Sequence, residues 1–398
     1  MGVISMELNE LIQLDNTYHM TTYSRLPVTF VKGRGTKLWD DTGKEYLDLV
    51  SGIGVANVGH CHPMVIDAIK NQVETLMHVS NLFYTEPQLE LAKKMAEISF
   101  GDRCFFGNSG AEANEGAIKL ARRYAKIKGR NAYEIITALR SFHGRTMKTL
   151  AATGQPDKQR PFEPLPPGFK HVPLNDIEAL KKEINEKTCA VMLEVIQGEG
   201  GVYPCDAGYL KEVRTLCDEY DILLIFDEVQ TGMGRTGNMF AYEGVGVEPD
   251  IMTLAKGIGS GLPIGVVVAR DEVALFKPGE HGSTFGGGPV VCAAALATIK
   301  VIEEERLVDN SRNVGAYMKG KLEAMKESGS LIKDIRGTGL MLAIELTEDK
   351  ARGIILDLLE EGIIANNIGN NIIRFLPPLS ITEAEVDRAL SILERLIV

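Results

Sequence analysis

Asp221-Ile-Leu-Leu-Ile-Phe226 runs straight into Asp227-Glu-Val-Gln230. Its apolar residues do not alternate with polar ones, so the segment reads as a short strand covered on both faces. Asp227 closes it, as a loop acid, a cap or a functional group. Residues 209–220 just before it have helical spacing. Further short apolar runs stand at Arg103-Cys-Phe-Phe, Glu134-Ile-Ile-Thr, Cys189-Ala-Val-Met-Leu and Ile251-Met-Thr-Leu, with helical stretches at 111–127 and 177–185 between them. Short apolar strands alternating with helices predict an α/β fold whose mostly parallel sheet is covered on both faces. Ile264-Gly-Val-Val-Val-Ala269 follows the Ile251 strand after only a short Gly-rich turn. A parallel crossover needs a dozen or more residues, so this strand is expected to be antiparallel.

Outside that alternation, residues 37–50 read as a hairpin around the turn Asp41-Thr-Gly-Lys44. Helices are expected after Pro63, over 87–98, and after Pro289 through Ala293, Ala294 and Ala295. Residues 310–398 alternate polar helices with short strands. The expected division is a large domain over 61–305 and a smaller α+β domain made from both ends, 1–60 and 306–398. A chain of 398 residues is beyond the size at which one hydrophobic core keeps growing.

The net charge of −11, with no Lys/Arg block, argues against a duplex nucleic acid as partner. No apolar run reaches the length of a membrane span, and residues 1–15 lack the pattern of a secretory leader. Six scattered cysteines without a Cys-x-x-Cys pair suit reduced thiols in the cytoplasm. His60-Cys61-His62 is no more than a fragment of a metal site, because no second ligand cluster completes it, and no metal is expected.

Polar residues gather where the predicted strands end, which is where open α/β sheets bind ligands. Gly107-Asn-Ser-Gly-Ala-Glu-Ala-Asn114 follows the first strand and opens a helix. Asn108-Ser109-Gly110 serves there equally as a plain N-cap or as a helix N-terminus whose free N–H groups hold a phosphate. The P-loop spacing is absent, and Gly257-Ile-Gly-Ser-Gly261 lacks the context of a dinucleotide fingerprint. Phe142, just past a strand end, is core packing or an aromatic plate for a flat ligand. Lys256 follows Leu254-Ala255 and precedes small residues, so it is a buried strand-end lysine whose desolvated amine becomes a usable nucleophile. A lysine, an acid for a ring nitrogen and a phosphate cradle are the groups that pyridoxal phosphate requires.

The chain resembles the class III (fold type I) aminotransferases, most closely their acetylornithine branch. The resemblance extends from Tyr23-Ser-Arg-Leu-Pro through Gly59-His-Cys-His-Pro, Ser80-Asn-Leu-Phe-Tyr-Thr-Glu-Pro, Ser141-Phe-His-Gly-Arg-Thr and Phe226-Asp-Glu-Val-Gln-Thr-Gly-Met-Gly-Arg-Thr-Gly. It continues through Leu254-Ala-Lys-Gly, His281-Gly-Ser-Thr-Phe-Gly-Gly and Ile373-Arg-Phe-Leu-Pro-Pro. It implies that Lys256 is the Schiff-base lysine, that Asp227 pairs with the pyridine nitrogen, and that Gln230 lies by the ring hydroxyl. Gly110 and Ala111 would hold the phosphate, Phe142 would stack on the ring, and Thr284 would reach the phosphate from a partner subunit, which implies a homodimer with a shared site. Arg145 would bind a substrate carboxylate, Ser283 and Tyr23 would face the substrate, and Glu199 and Arg374 would form a switch pair. The implied reaction is ping-pong. The δ-amine of N-acetylornithine is removed, leaving N-acetylglutamate semialdehyde, and 2-oxoglutarate then takes the amine and leaves as glutamate.

Two positions depart from the family pattern. Val195 stands where a proline usually follows Glu194, and Ile53 stands where relatives acting on free ornithine carry a tyrosine. An apolar side chain at position 53 cannot hydrogen-bond a free α-amine, which favours an acylated donor. The rival donors are 4-aminobutyrate, ornithine and succinyldiaminopimelate. An aminomutase, a racemase or a catalytically silent cofactor-binding module would be a different function on the same scaffold.

Overall fold

The computed structural model describes residues 6–397. The leader-free reading of the N-terminus falls partly on residues outside that range. The central sheet has seven strands: β1 (Arg103–Gly107), β2 (Glu134–Ala138), β3 (Phe169–Val172), β4 (Thr188–Leu193), β5 (Leu223–Asp227), β6 (Ile251–Leu254) and β7 (Gly265–Ala269). Their spatial order is β1-β7-β6-β5-β4-β2-β3. Strand β7 runs antiparallel to both β6 and β1, and the pairs β6–β5, β5–β4, β4–β2 and β2–β3 are parallel. The expected antiparallel strand is therefore β7.

Burial explains why β4 and β5 read as unbroken apolar runs. Val191, Met192, Leu224, Ile225 and Phe226 are all at 0% exposure, with helices on both faces leaving no solvent side. Strand β3 went unread because Phe-Lys-His-Val at the sheet edge is only partly buried and carries no apolar run. The helix Gly110–Ile127 lies across β7 and β6 through Ala113, Ala117, Ala121 and Gly116. A Cβ on Gly116 would come within 2.9 Å of Val267, so this glycine sets how closely helix and strand approach.

The two ends of the chain share a sheet. Strands Phe30–Arg34, Lys37–Asp40 and Glu45–Asp48 are extended by Ile363–Ile364, which pairs parallel with the last of them. A second antiparallel sheet orders Ile332–Thr338, Met341–Leu346, Ile372–Phe375 and Asn366–Ile368. Arg235, at 0% exposure, ties these regions together. Its guanidinium donates to the carbonyls of Leu340 and Pro377 and to Asn57 Oδ1. Among the described residues no helix is long and apolar enough to cross a membrane. His60 and His62 turn to different carboxylates, Asp48 at 2.7 Å and Glu305 at 2.9 Å.

Candidate active site

The parallel strands deliver their carboxyl ends to one edge, where a cavity of about 450 Å³ opens. Five strand exits contribute. Ser109, Gly110 and Ala111 follow β1, Phe142 and Arg145 follow β2, and Glu194 and Glu199 follow β4. Asp227 ends β5, Gln230 lies just beyond it, and Lys256 follows β6. A larger groove of about 830 Å³ between the helices Pro63–Thr75, Glu86–Ile98 and Pro289–Glu304 stands away from every strand end of the sheet.

Asp227 is 4% exposed and is held from behind. Its Oδ2 accepts from Asn114 Nδ2 at 2.7 Å and faces His143 Nδ1 at 2.8 Å. Asn114 is fixed in turn, because its Oδ1 accepts from Thr253 Oγ1 at 2.6 Å. Asp227 Oδ1 takes only the Val229 N–H, at 3.1 Å, and keeps acceptor capacity. Burial alone would lower the His143 pKa, but the hydrogen bond and charge of Asp227 outweigh it and raise it. An imidazolium favoured in this way sets a positive charge directly behind the Asp227 side chain. Asn114 and His143 were given no role in the sequence reading. They meet Asp227 across 113 and 84 residues, and no local pattern marks them.

Lys256 has φ +49, the left-handed region, where a side chain other than glycine stores strain of about 1–3 kcal/mol. Burial lowers its amine pKa, and the nearby Arg374 charge adds to this against the opposing charges of Glu199 and Asp227. A neutral amine is therefore more accessible than on an exposed lysine.

The helix N-terminus is tight as well as polar. Ser109 caps it, accepting the Glu112 N–H on Oγ at 3.2 Å. The N–H groups of Gly110 and Ala111 lie in the first turn and have no intrahelical partner, so they remain available to an anion. A Cβ on Gly110 would press on Val229 at 2.9 Å, so only glycine lets the helix start this close to the end of β5.

Behind the cavity wall formed by Glu199 and Gln230, Arg374, 1% exposed, donates from Nη1 to Glu199 Oε1 at 2.6 Å and to Gln230 Oε1 at 3.1 Å. Gln230 Nε2 returns a bond to Glu199 Oε1 at 3.2 Å. Burial would raise the Glu199 pKa, but Arg374, Lys256 and these hydrogen bonds hold it at about 2. Glu194 grips two site loops at once, accepting the Phe142 N–H at 2.9 Å and the Gly198 N–H at 3.2 Å. Val195 therefore leaves both Glu194 and Glu199 at the cavity.

Five sequence candidates do not line the cavity of this single chain: Arg374 lies buried behind its Glu199 and Gln230 wall, and Ser283, Thr284, Tyr23 and Ile53 stand away from it. Ser283 and Thr284 line a neighbouring hollow together with Asn108. Ser283 Oγ accepts from Asn108 Nδ2 at 3.1 Å, and Thr284 is exposed. Tyr23 is 70% exposed, and Ile53 is 39% exposed in a turn at φ +67. The segment 51–54 near Ile53 is pinned by Asp48, which accepts the Val50 and Ser51 N–H groups, and by Ser51 Oγ on the Leu376 carbonyl.

The cavity fits pyridoxal phosphate on its own chemistry. A carboxyl group with free acceptor capacity suits a protonated ring nitrogen, two unpaired N–H groups suit a phosphate, and a desolvated lysine suits the aldehyde. The family model described as aminotransferase class-III matches residues 18–397. The chain is 54% identical over 391 residues to the acetylornithine aminotransferase of Methanocaldococcus jannaschii, covering 98% of each chain. It superposes with a TM-score of 0.95 on the ornithine aminotransferase from Toxoplasma gondii ME49, at 35% identity over 98% of this chain and 95% of that one. The acetylornithine aminotransferase from Elizabethkingia anophelis gives a TM-score of 0.89 at 35% identity, covering 99% of each. The chain belongs to the class III aminotransferases. It is a pyridoxal-phosphate-dependent transaminase of fold type I.

Proposed function

We propose that this enzyme moves the δ-amine of N-acetylornithine to 2-oxoglutarate, giving N-acetylglutamate semialdehyde and glutamate in two half-reactions. The observation that carries the reading is the Glu199–Arg374 pair at 2.6 Å. N-acetylornithine presents a terminal amine, whereas glutamate presents an amine beside a carboxylate. A buried arginine near the reacting carbon suits glutamate and is left uncompensated by the terminal amine, unless an acid neutralises it. Glu199 neutralises Arg374 in the first half-reaction and releases it to the carboxylate in the second. The acetylornithine aminotransferases that resemble the chain support the choice of donor.

When bound, pyridoxal phosphate supplies a sink for electrons released at the amine-bearing carbon. Asp227, backed by Asn114 and His143, keeps the proton on the ring nitrogen. Gly110 and Ala111 would hold the phosphate, Phe142 would stack on the ring, and Gln230 would lie by the ring hydroxyl. Nζ of Lys256 would act as the base that takes the proton from the amine-bearing carbon and as the acid that redelivers it. Arg145 holds the carboxylate at the far end of the substrate. We place Thr284 at the phosphate of a partner subunit in a homodimer, which accords with its position outside the cavity of one chain, and Ser283 and Tyr23 on the substrate side. Six free cysteines accord with a cytoplasmic location.

A second reading is free ornithine as donor, favoured by the close superposition on an ornithine aminotransferase. A panel of N-acetylornithine, ornithine, 4-aminobutyrate and succinyldiaminopimelate, assayed for glutamate formed from 2-oxoglutarate, separates them. N-acetylornithine is expected to give the highest kcat/KM, and a clear win for ornithine overturns the proposal.

A further inference from the structure

Two cations flank the ring of Phe142, a cavity-lining residue: Arg145, which lines the cavity with it, and Lys158, which stands beside the ring next to the cavity. Arg145 Cζ lies 5.5 Å from the ring centroid and Lys158 Nζ lies 5.9 Å from it. Among the described residues, no carboxylate lies within 4.0 Å of either cation. Asp157, beside Lys158 in sequence, is taken by Arg160 at 3.0 Å. In a chain of net charge −11, two neighbouring unpaired cations mark a place where something outside the chain supplies the anion.

Lys158 is also aimed. Its Nζ donates to Gln155 Oε1, a neutral partner. The Gln155 amide nitrogen is fixed by the carbonyls of Ser141 at 3.0 Å and Arg140 at 3.3 Å, which orients its oxygen toward the lysine. The ammonium is thus tethered to the same loop that carries Phe142 and Arg145. Burial and the Arg145 charge both lower the Lys158 pKa, and a carboxylate between the two cations would relieve that cost.

We propose that Lys158 is a specificity-determining residue that joins Arg145 in a two-cation seat for carboxylates on the substrate end remote from the reacting carbon. The inference rests on the aminotransfer reaction proposed above. It sets a charge rule for the remote end. 2-Oxoglutarate, with a remote carboxylate, gains over 2-oxopentanoate, which has none. A donor tail with two carboxylates, as in N-succinylornithine, gains through Lys158 over a tail with one, as in N-acetylornithine.

The test uses holoenzyme, wild type beside Lys158→Met and Lys158→Arg. The aminated enzyme is mixed with 2-oxoglutarate or 2-oxopentanoate in single-turnover experiments. A partly exposed charge pair is worth up to about 1 kcal/mol, so Lys158→Met should lower the preference for 2-oxoglutarate about fivefold, chiefly through weaker binding. Lys158→Arg should retain most of that preference. The ratio of kcat/KM for N-succinylornithine over N-acetylornithine should fall in parallel. If wild type takes neither acylated donor, the donor reading fails while the acceptor ratio still decides the role of Lys158. An unchanged acceptor ratio in Lys158→Met, or an equal loss on both acceptors, overturns the seat.

Discussion

Arg374 and Glu199 meet at 2.6 Å with unequal burial, the guanidinium being 1% exposed and the carboxylate 28%. The cation also donates to the Gly198 carbonyl at 3.3 Å and to Asn366 Oδ1 at 3.2 Å, which fixes it from two further sides. The acid is the more exposed partner, so any exchange of partners falls to Glu199. Losing one member of a desolvated charge pair costs about 2–5 kcal/mol, and lysine lacks the guanidinium fork. Arg374→Lys should therefore slow the 2-oxoglutarate half-reaction at least about tenfold more than the donor half-reaction. Glu199→Gln should shift preference toward glutamate. Single-turnover kinetics of each half-reaction read both effects, and equal losses in Arg374→Lys would mean a structural role.

The same pair makes stability depend on acid. The folded carboxyl of Glu199 is held at about 2, below its ordinary 4.5. Its contribution is therefore fully present above about pH 4.5 and is lost as the pH falls from there toward 2. The difference corresponds to roughly 3 kcal/mol at most. Glu199→Gln has no such proton to gain. Urea unfolding of wild type and Glu199→Gln should show their stability difference shrinking between pH 6 and pH 3. A difference that stays constant over that range would refute the pairing.

Asp227→Asn keeps the shape and the Asn114 contact region but removes the charge facing His143 Nδ1 at 2.8 Å. An amide cannot hold a ring nitrogen protonated, so kcat should fall by roughly two to three orders of magnitude while the cofactor stays bound. Visible absorbance and kcat, measured together, check this. Near-normal turnover would reduce Asp227 to a cap.

Lys256 should be the lysine on which borohydride fixes the cofactor, as peptide mapping would show. Lys256→Ala should retain cofactor through the phosphate cradle and fail to turn over. In cofactor-free protein, the lowered pKa of Lys256 should bring its reaction with an amine-directed reagent to a lower pH than that of exposed lysines. Mass spectrometry of labelling against pH measures it, and labelling that tracks the exposed lysines would contradict the buried amine.

What the sequence alone determined was whatever rests on neighbouring residues. Runs such as 222–226 encode a strand buried on both faces, and their alternation with helices encodes a largely parallel sheet, because burial pattern is set by local periodicity. Acids and a lysine placed at the ends of those runs fall at the carboxyl edge, where such sheets bind ligands, so Asp227 and Lys256 were legible. The edge strand Phe169–Val172 was not, because a half-exposed strand carries no continuous apolar signal. Tertiary structure alone decided which polar groups meet. Asn114 and His143 reach Asp227 across 113 and 84 residues, and Arg374 bonds Glu199 across 175. Resemblance to a family named the last of these pairs, but no spacing in the chain did. Gln155 orients Lys158 beside Phe142 only because the chain returns after the loop that follows β2, so that its amide bonds the Arg140 and Ser141 carbonyls. A buried polar contact is satisfied by whatever partner the packed fold brings within about 3 Å, and that partner leaves no periodic trace in the residues around it.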